Sequence, residues 1–268
     1  MVSADSLMML HKARELAENI GARAIVSFIK PISFESEIPV IWVEDLQLDV
    51  LKDLTMHDIL EISEKHLHDA AVQIYLSKNF EEGQVVGVFP YAILIYDIKE
   101  GPGFINVRDY DGIANRDVVS AVLRLALDIA VEGREGRKIG TAFIIGNSDD
   151  IMKNSHQAII NPYKGQHPDD CDIKNEHNWE SVKEFAQLDG VFVVDNEGRI
   201  AAAGRYLNIN TGLITLPGGM GGRHLAAAAI TLDLPVIGIT VSESGGIVRI
   251  FRDGKVVQTI RSDVRVRR

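Results

Sequence analysis

Short apolar runs alternate with helical periods along the chain, and that alternation restricts it to an α/β fold. Over Asp5 to Gly21, the side chains Leu7, Leu10, Ala13, Leu16, Ala17 and Ile20 share one helical face, and Gly21 is a stop signal. The runs Ala24–Ile29 and Pro39–Val43 predict strands. Thr55 to Leu76 predicts a helix, with Thr55 as a cap ahead of Asp58. Val85–Val88 and Ala92–Tyr96 predict two further strands. Residues 1–100 therefore read as a small α/β domain.

Gly101-Pro102-Gly103 punctuates the chain and opens a linker over residues 101–114. A helix follows from about Arg116 to Ala130, with Val119, Leu123 and Leu127 in its stripe, and Gly133 to Gly136 breaks it. Thr141–Ile145 reads as a buried strand, and Asn161–Asn178 as a polar loop. Trp179–Leu188 is helical, Val191–Val194 and Ile200–Gly204 form a hairpin, and Asn208–Gly222 is a long Gly-rich loop. An alanine-dense helix over Arg223–Leu232 comes next. Strands at Val236–Val241, Ile247–Phe251 and Val256–Ile260 complete the set, the last two joined by an Asp253-Gly254 turn. Residues 115–268 are thus expected to be a second domain, a central mixed β-sheet flanked by helices.

Composition narrows the function classes. Of 268 residues, 46% are apolar and 25% charged, which is globular composition. The single cysteine, Cys171, cannot form an internal disulfide. No apolar run approaches the roughly 18 residues of a spanning helix. The start, Met1-Val2-Ser3-Ala4-Asp5, lacks a basic flank. No membrane association and a cytoplasmic location are the expectations. With 28 basic and 38 acidic residues the net charge is −10, which argues against a nucleic-acid partner. An anionic small ligand stays possible, because backbone amides, a few cations and a divalent metal override global charge locally.

The segment that carries most chemistry is Leu216-Pro-Gly-Gly-Met-Gly-Gly-Arg-His-Leu-Ala226. Glycines there let backbone approach a ligand, and the following helix start offers unpaired amides and a positive dipole end. Arg223 and His224 at that end are unfavourable to the helix itself, and a phosphate explains them. A flexible loop with a salt-bridged Arg223 is the bland alternative. The spacing is neither a Walker loop nor a dinucleotide fingerprint. Asp189-Gly190, between a helix end and a buried strand, can aim a carboxylate at a cleft, and a Mg²⁺ or Mn²⁺ ion would bridge it to phosphate. An ordinary Asp-Gly turn is the competing reading. Ser242-Glu243-Ser244-Gly245-Gly246 follows an apolar strand, so Glu243 is a candidate metal ligand and Ser242 a candidate phosphate contact. His66-Leu67-His68-Asp69 reads as a helix surface, and the His167, Asp169, Asp170, Cys171, Asp172, His177 group as a solvated loop without zinc spacing.

The ordered set GTAFIIG (140–146), NPY (161–163), LDGV (188–191), AGRYLN (203–208), GGRHLA (221–226) and VSE (241–243) resembles the diadenylate cyclase (DAC) domain family, whose signatures are Asp-Gly-Ala and Arg-His-Arg. The likeness covers roughly residues 115–260 and is nearest to the archaeal stand-alone type. The first hundred residues are similar to the C-terminal α/β domain of pyruvate kinase. The resemblance implies condensation of two ATP into cyclic di-AMP with release of two pyrophosphates. It implies a homo-oligomer in which two protomers face each other and the 3′-hydroxyl of one ATP attacks the α-phosphorus of the other. In this likeness Asp189 binds Mn²⁺ or Mg²⁺, with Glu243 able to join it, and Arg223 and His224 contact phosphate. Gly190 and Leu207 line the nucleotide pocket. Gly221, Gly222, Leu225 and Ala226 flank the phosphates, and Ser242 adds a further contact.

Three positions depart from the family pattern. Val191 stands where alanine is usual and is expected to narrow the space beside Asp189. Leu225 stands for the second arginine, and Gly222 for a threonine. A lost charged hydrogen bond costs about 1.5–3 kcal/mol, roughly ten- to a hundredfold in rate. Arg205 or Arg249 is a candidate replacement donor. The missing arginine motivates an alternative function, an ATP- or cyclic-di-AMP-binding sensor with weak catalysis. A metabolic enzyme with an allosteric front domain is the third reading.

Overall fold

The structure, a computed structural model, describes residues 4–29, 34–44, 55–76, 82–98, 107–210, 212, 214–261 and 265–266. The chain divides into two compact units, residues 1–105 with 263–268, and residues 106–262. Gly101-Pro102-Gly103 lies outside the described residues.

In the first unit, α1 (Ala4–Ile20), β1 (Ala24–Ser27), β2 (Val40–Glu44), α2 (Met56–Leu76), β3 (Gln84–Val88) and β4 (Ile93–Asp97) follow one another. The sheet runs β12-β2-β1-β3-β4, where β12 is Arg265–Val266. β1 pairs parallel with β2 and β3, while β4 and β12 pair antiparallel. Alternate residues serve opposite faces. Leu10, Ala13 and Ala17 of α1 cluster with Ile25, Val86 and Val88. Leu67, Ala70, Ala71 and Ile74 of α2 cluster with Ala24, Val26 and Val85. Each helix therefore covers one face of the sheet. The α2 start is a reciprocal cap: Asp58 N–H donates to Thr55 Oγ1 at 3.2 Å, and Thr55 N–H to the Asp58 carboxylate at 2.9 Å.

Two expectations change here. Residues 265–266 were grouped with the second domain, but their backbone completes the first sheet against Val43 and Glu44. The His66–Asp69 stretch is not a helix surface. Asp69 is buried, His66 and His68 are half-buried, and His68 Nδ1 meets the Tyr96 hydroxyl at 2.5 Å. The apolar face of α2 is broad enough to draw its neighbours inward.

In the second unit, α3 (Arg116–Glu132) leads to β5 (Thr141–Gly146), α4 (Ser148–Lys153), β6 (Ser155–Gln157), α5 (Trp179–Phe185), β7 (Val191–Asp195), β8 (Ile200–Leu207), α6 (Gly222–Asp233), β9 (Ile237–Val241), β10 (Ile247–Arg252) and β11 (Lys255–Arg261). The seven-stranded sheet has the order β11-β10-β9-β5-β7-β8-β6. Only the β5–β7 pair is parallel. Ala142 and Ile144 of β5 and Val191 and Val193 of β7 join Ala227, Ala228 and Ile230 of α6 in one core cluster. From the alternate positions, Phe143 stacks on Phe192 at 4.8 Å between ring centroids, and Tyr163 meets Phe192 and Phe185 edge-on. The Asp253-Gly254 turn has φ of 50° and 76° at its two residues, the left-handed pair that a tight hairpin needs.

The sequence reading passed over α4 and β6. Both are short, and α4 depends on a local cap, with Asn147 accepting from the Asp149 and Asp150 amides. The polar loop after them is exposed over residues 164–170 but then turns inward. Cys171 and Ile173 are buried, and Trp179 Nε1 donates to Ile173 O at 2.8 Å.

Arg205 of β8 holds this edge together. It is 8% exposed. Its guanidinium donates to Ser155 Oγ at 2.8 Å, Ser155 O at 2.6 Å, Met152 O at 2.9 Å and Gln157 Oε1 at 3.3 Å. Its buried guanidinium is held on α4 and β6 by these bonds, so it is not placed as a replacement phosphate donor. Arg205→Met strands those acceptors and destabilises the protein by about 2–4 kcal/mol in urea unfolding, since each charge-assisted bond is worth about 1.5–3 kcal/mol. An unchanged midpoint contradicts this role.

Candidate functional site

Sheet topology gathers the chemistry at one end of the second unit. β5 and β9 are antiparallel, with Thr141 opposite Val241, so the start of β5 and the end of β9 lie together. β7 runs parallel to β5, which brings Leu188-Asp189-Gly190, just before Val191, to that same end. The chain reverses between α6 and β9, so α6 also begins there. Its alanine run is explained by packing: a Cβ built on Gly238 of β9 would stand 3.0 Å from Ala227 Cβ. Only small residues allow this close seating of helix on strand.

The α6 start carries no side-chain cap and no acid in its first turn. The His224 and Leu225 amides donate to Gly221 O at 3.0 and 3.2 Å, so the Gly222 and Arg223 amides, with the helix dipole, are what the α6 start can offer a ligand. The glycines before it are not demanded by crowding. A Cβ at Gly218, Gly219, Gly221 or Gly222 meets nothing within 4 Å, and only Gly219 has a left-handed φ, +86°. Their missing side chains leave room on the open side of the loop.

That room is a cleft of about 740 Å³, within the roughly 300–1,000 Å³ typical of small-molecule sites. Gly219, Gly221, Gly222, Arg223 and His224 line it from α6 and its loop. Val241, Ser242, Glu243 and Ser244 line it from the end of β9, and Arg137, Lys138 and Gly140 from the approach to β5. Gly140 packs closely on the opposite wall, since a Cβ there would stand 3.2 Å from Glu243 Cβ, a tight contact.

Arg223 links the cleft to the Asp189 turn. Its guanidinium reaches Leu188 O at 3.3 Å, Asp189 Oδ1 at 3.4 Å and Gly190 O at 3.5 Å. These contacts are longer than the usual 2.9–3.0 Å, so they steer the guanidinium without holding it tightly. The Asp189 side chain is 79% exposed and open to a ligand. Gly190 answers a backbone demand: its φ is +95°, and a Cβ would sit 2.5 Å from Arg205 O.

His224 is buried, and its Nε2 lies 3.2 Å from Arg249 Nη1. A guanidinium only donates, so Nε2 accepts and the neutral ring carries its proton on Nδ1. Burial, then the charges of Arg249 and Arg223, push the imidazole down to about 4. His224 is therefore a neutral donor at physiological pH. Burial, followed by Arg261, also lowers Arg249.

The structure thus brings Gly221, Gly222, Arg223, His224, Ser242 and Glu243 into one cleft and ties Asp189 and Gly190 to it through Arg223. Leu207, Leu225 and Ala226 are not among the residues lining it. Leu207, on β8 two residues past the partner of Val191, packs beside the core cluster. Ser242 is buried, with its hydroxyl on Ser244 O at 3.2 Å. Val191 is 3% exposed and belongs to the core cluster, so its extra bulk fills core and does not narrow the space beside Asp189. Among the described residues no group of three or more His, Cys, Asp or Glu is placed to hold a metal. Sequence reasoning gave no role to Arg137, Lys138 or Gly140, and it reached Gly219 and Ser244 only as parts of their segments. The available signal was a basic pair directly before a buried strand.

His224 gives a test by pH. Its folded pKa of about 4 lies below the unfolded 6.5, so its contribution is fully present above pH 6.5 and is lost as pH falls towards 4. In urea unfolding between those limits, the native protein loses up to about 1.4 kcal/mol per pH unit relative to His224→Gln. Parallel pH curves for the two proteins contradict the burial of a neutral ring.

Comparison with known proteins matches both units. Residues 128–256 match the DAC family model, described as DisA bacterial checkpoint controller nucleotide-binding. Residues 8–99 match the DacZ_A model, described as a probable sensor domain. A diadenylate cyclase of Methanocaldococcus jannaschii is 43% identical over 136 residues, covering 51% of this chain and 43% of that protein. A diadenylate cyclase of Haloferax volcanii is 33% identical over 193 residues, covering 72% of this chain and 62% of that protein. The chain spans less than two thirds of either relative. A crystal structure of DacA from Staphylococcus aureus is 18% identical with a TM-score of 0.37, covering 58% of this chain and 91% of that one. Residues 128–256 thus resemble the DAC family, in one chain with a segment, residues 8–99, that resembles the DacZ_A type.

Proposed function

We propose that the protein is a diadenylate cyclase that joins two ATP molecules into cyclic di-AMP and releases two pyrophosphates. The observation that carries this is the cleft itself. An uncapped helix start, Arg223 and neutral His224 share a glycine-lined space tied to an exposed carboxylate, Asp189. The DAC match and the two relatives called diadenylate cyclase support the same reading.

In each transfer, the 3′-oxygen of one ATP bonds to the α-phosphorus of the other. The bond from that phosphorus to the bridging β-phosphate oxygen breaks, pyrophosphate leaves, and the hydroxyl loses its proton. Arg223 and the first amides of α6 would hold the phosphates and meet charge that grows during the transfer. His224 would donate from Nδ1. Gly221, Gly222, Leu225 and Ala226 would flank the phosphates, Ser242 would add a hydroxyl, and Gly190 and Leu207 would bound the nucleoside. Asp189 would orient the attacking hydroxyl.

The donor set fits a hard divalent cation, Mg²⁺ or Mn²⁺, completed by phosphate oxygens. Such ions are commonly held by one or two carboxylates plus substrate phosphates. Asp189 would hold it, with Glu243 of the cleft wall as the second candidate ligand. When bound, the cation would supply charge neutralisation at the phosphates and ease deprotonation of the hydroxyl.

One cleft accommodates one ATP, so the attacking hydroxyl comes from a second protomer facing the first. A homo-oligomer follows. ATP as substrate places the work in the cytoplasm. No described helix is long and apolar enough to cross a membrane, and the net charge of −10 disfavours a nucleic-acid partner.

Incubation with ATP and Mg²⁺ or Mn²⁺, read by mass spectrometry, yields cyclic di-AMP and a linear dinucleotide intermediate. Asp189→Asn lowers this at least about a hundredfold while unfolding at the same urea concentration. ATP binding without product under either metal overturns the cyclase reading in favour of a sensor, and AMP with pyrophosphate alone indicates hydrolysis. A Cβ at Gly222 meets nothing within 4 Å, so the threonine of the family pattern can be restored there, and Leu225 is only half-buried, which leaves an arginine there a way to solvent. The Gly222→Thr, Leu225→Arg double variant turns over about tenfold faster, as expected for one regained charged hydrogen bond. A slower double variant shows that these donors are not what limits the native protein.

A further inference from the structure

We propose that Arg137 grips the outer phosphates of the bound nucleotide, and hence the pyrophosphate that leaves. This rests on the nucleotide reading of the cleft and assigns it a second cationic wall.

The wall formed by α6 is poor in charge for a triphosphate. His224 is neutral at physiological pH, position 225 is leucine, and Arg223 shares its guanidinium with the Asp189 carboxylate. One incompletely free cation remains beside a ligand carrying several negative charges. Further positive charge must come from another side of the cleft, and among the described residues that line it the segment leading into β5 provides it, as Arg137 and Lys138.

The two are not equivalent. The Lys138 ammonium caps the end of α3, donating to Ala130 O at 3.0 Å and Val131 O at 3.1 Å. Nearby Arg134 is committed to Glu180 at 2.9 Å and Glu184 at 2.6 Å. The Arg137 side chain is exposed and has no hydrogen bond or ion pair among the described residues, although Glu243 lines the same cleft. An exposed guanidinium left unpaired in an acidic chain is a ready anion site. Its planar fork suits phosphate oxygens two at a time.

The backbone beneath it is fixed. Arg134 and Arg137 exchange N–H···O bonds of 2.9 Å in both directions. Gly133, at φ +61°, is obligatory, because a Cβ there would stand 2.0 Å from Arg137 O. A rigid base lowers the ordering cost of engaging a long side chain. Negative charge grows on the departing pyrophosphate during transfer, so this contact would aid the reaction as well as binding.

Arg137→Gln keeps the backbone bridge and removes only the charge, so the fold is not at issue. Calorimetry with Mg²⁺ and three probes, ATP, inorganic pyrophosphate and AMP, tests the assignment. The variant binds ATP and pyrophosphate about tenfold more weakly, binds AMP within about twofold of the native protein, and Arg137→Lys recovers part of the loss. Unchanged ATP affinity, or equal weakening of ATP and AMP, overturns the role of Arg137 and leaves the nucleotide reading standing. A native protein that binds neither ATP nor pyrophosphate overturns that reading and this one together.

Discussion

The site depends on one side chain that spans two parts of the fold. Arg223 rises from the first turn of α6, yet its guanidinium lies against the Leu188–Gly190 turn that precedes β7. Without that reach, the helix start and the exposed carboxylate would be two unrelated features. With it, an uncapped helix start and an exposed carboxylate sit side by side, and the guanidinium between them carries the charge that suits the carboxylate. The contacts are long, so an incoming phosphate can draw the guanidinium away from Asp189 at little cost. That release would free the carboxylate as phosphate arrives.

Placement and charge have separate origins here. The antiparallel β5–β9 pair and the parallel β5–β7 pair put the chemically active segments at one sheet end whatever side chains they carry. Close packing of Ala227 on Gly238 then fixes the start of α6. Charge is added on top of this scaffold, within a chain of net charge −10. Among the described residues, Arg137, Lys138 and Arg223 line the cleft beside the single carboxylate of Glu243, so its lining is cationic although the chain is acidic. Burial first, and then the charge of Arg249, keeps the His224 imidazole neutral, so Arg249 shapes the donor pattern without itself being among the residues that line the cleft.

The longer helices and strands of both units could be read from the sequence, because amphipathic period and turn residues are local signals, whereas the short α4, β6 and β12 could not. The sites around Gly218–His224 and Asp189-Gly190 were equally visible, since glycine density and a basic helix start are unusual enough to need a reason. What could not be read was long-range. Arg205 looked like a spare phosphate donor, and only the pairing of β8 with β6 shows that it is consumed inside the protein. Val191 looked like a constriction, and only the sheet's inner face shows where its side chain goes. The inward turn at Cys171 and the pairing of residues 265–266 with β2 are also products of tertiary packing. Arg137 was hidden for the same reason, because its value lies in what it faces across the fold.

The most direct test of the central claim is a crystal structure with 3′-deoxy-ATP and Mg²⁺, a substrate lacking the attacking hydroxyl. The account predicts its triphosphate in the cleft against the Gly221–His224 backbone, with Asp189 turned towards the cation and away from Arg223. Nucleotide bound elsewhere in the molecule, with the Arg223–Asp189 contact intact, would contradict it.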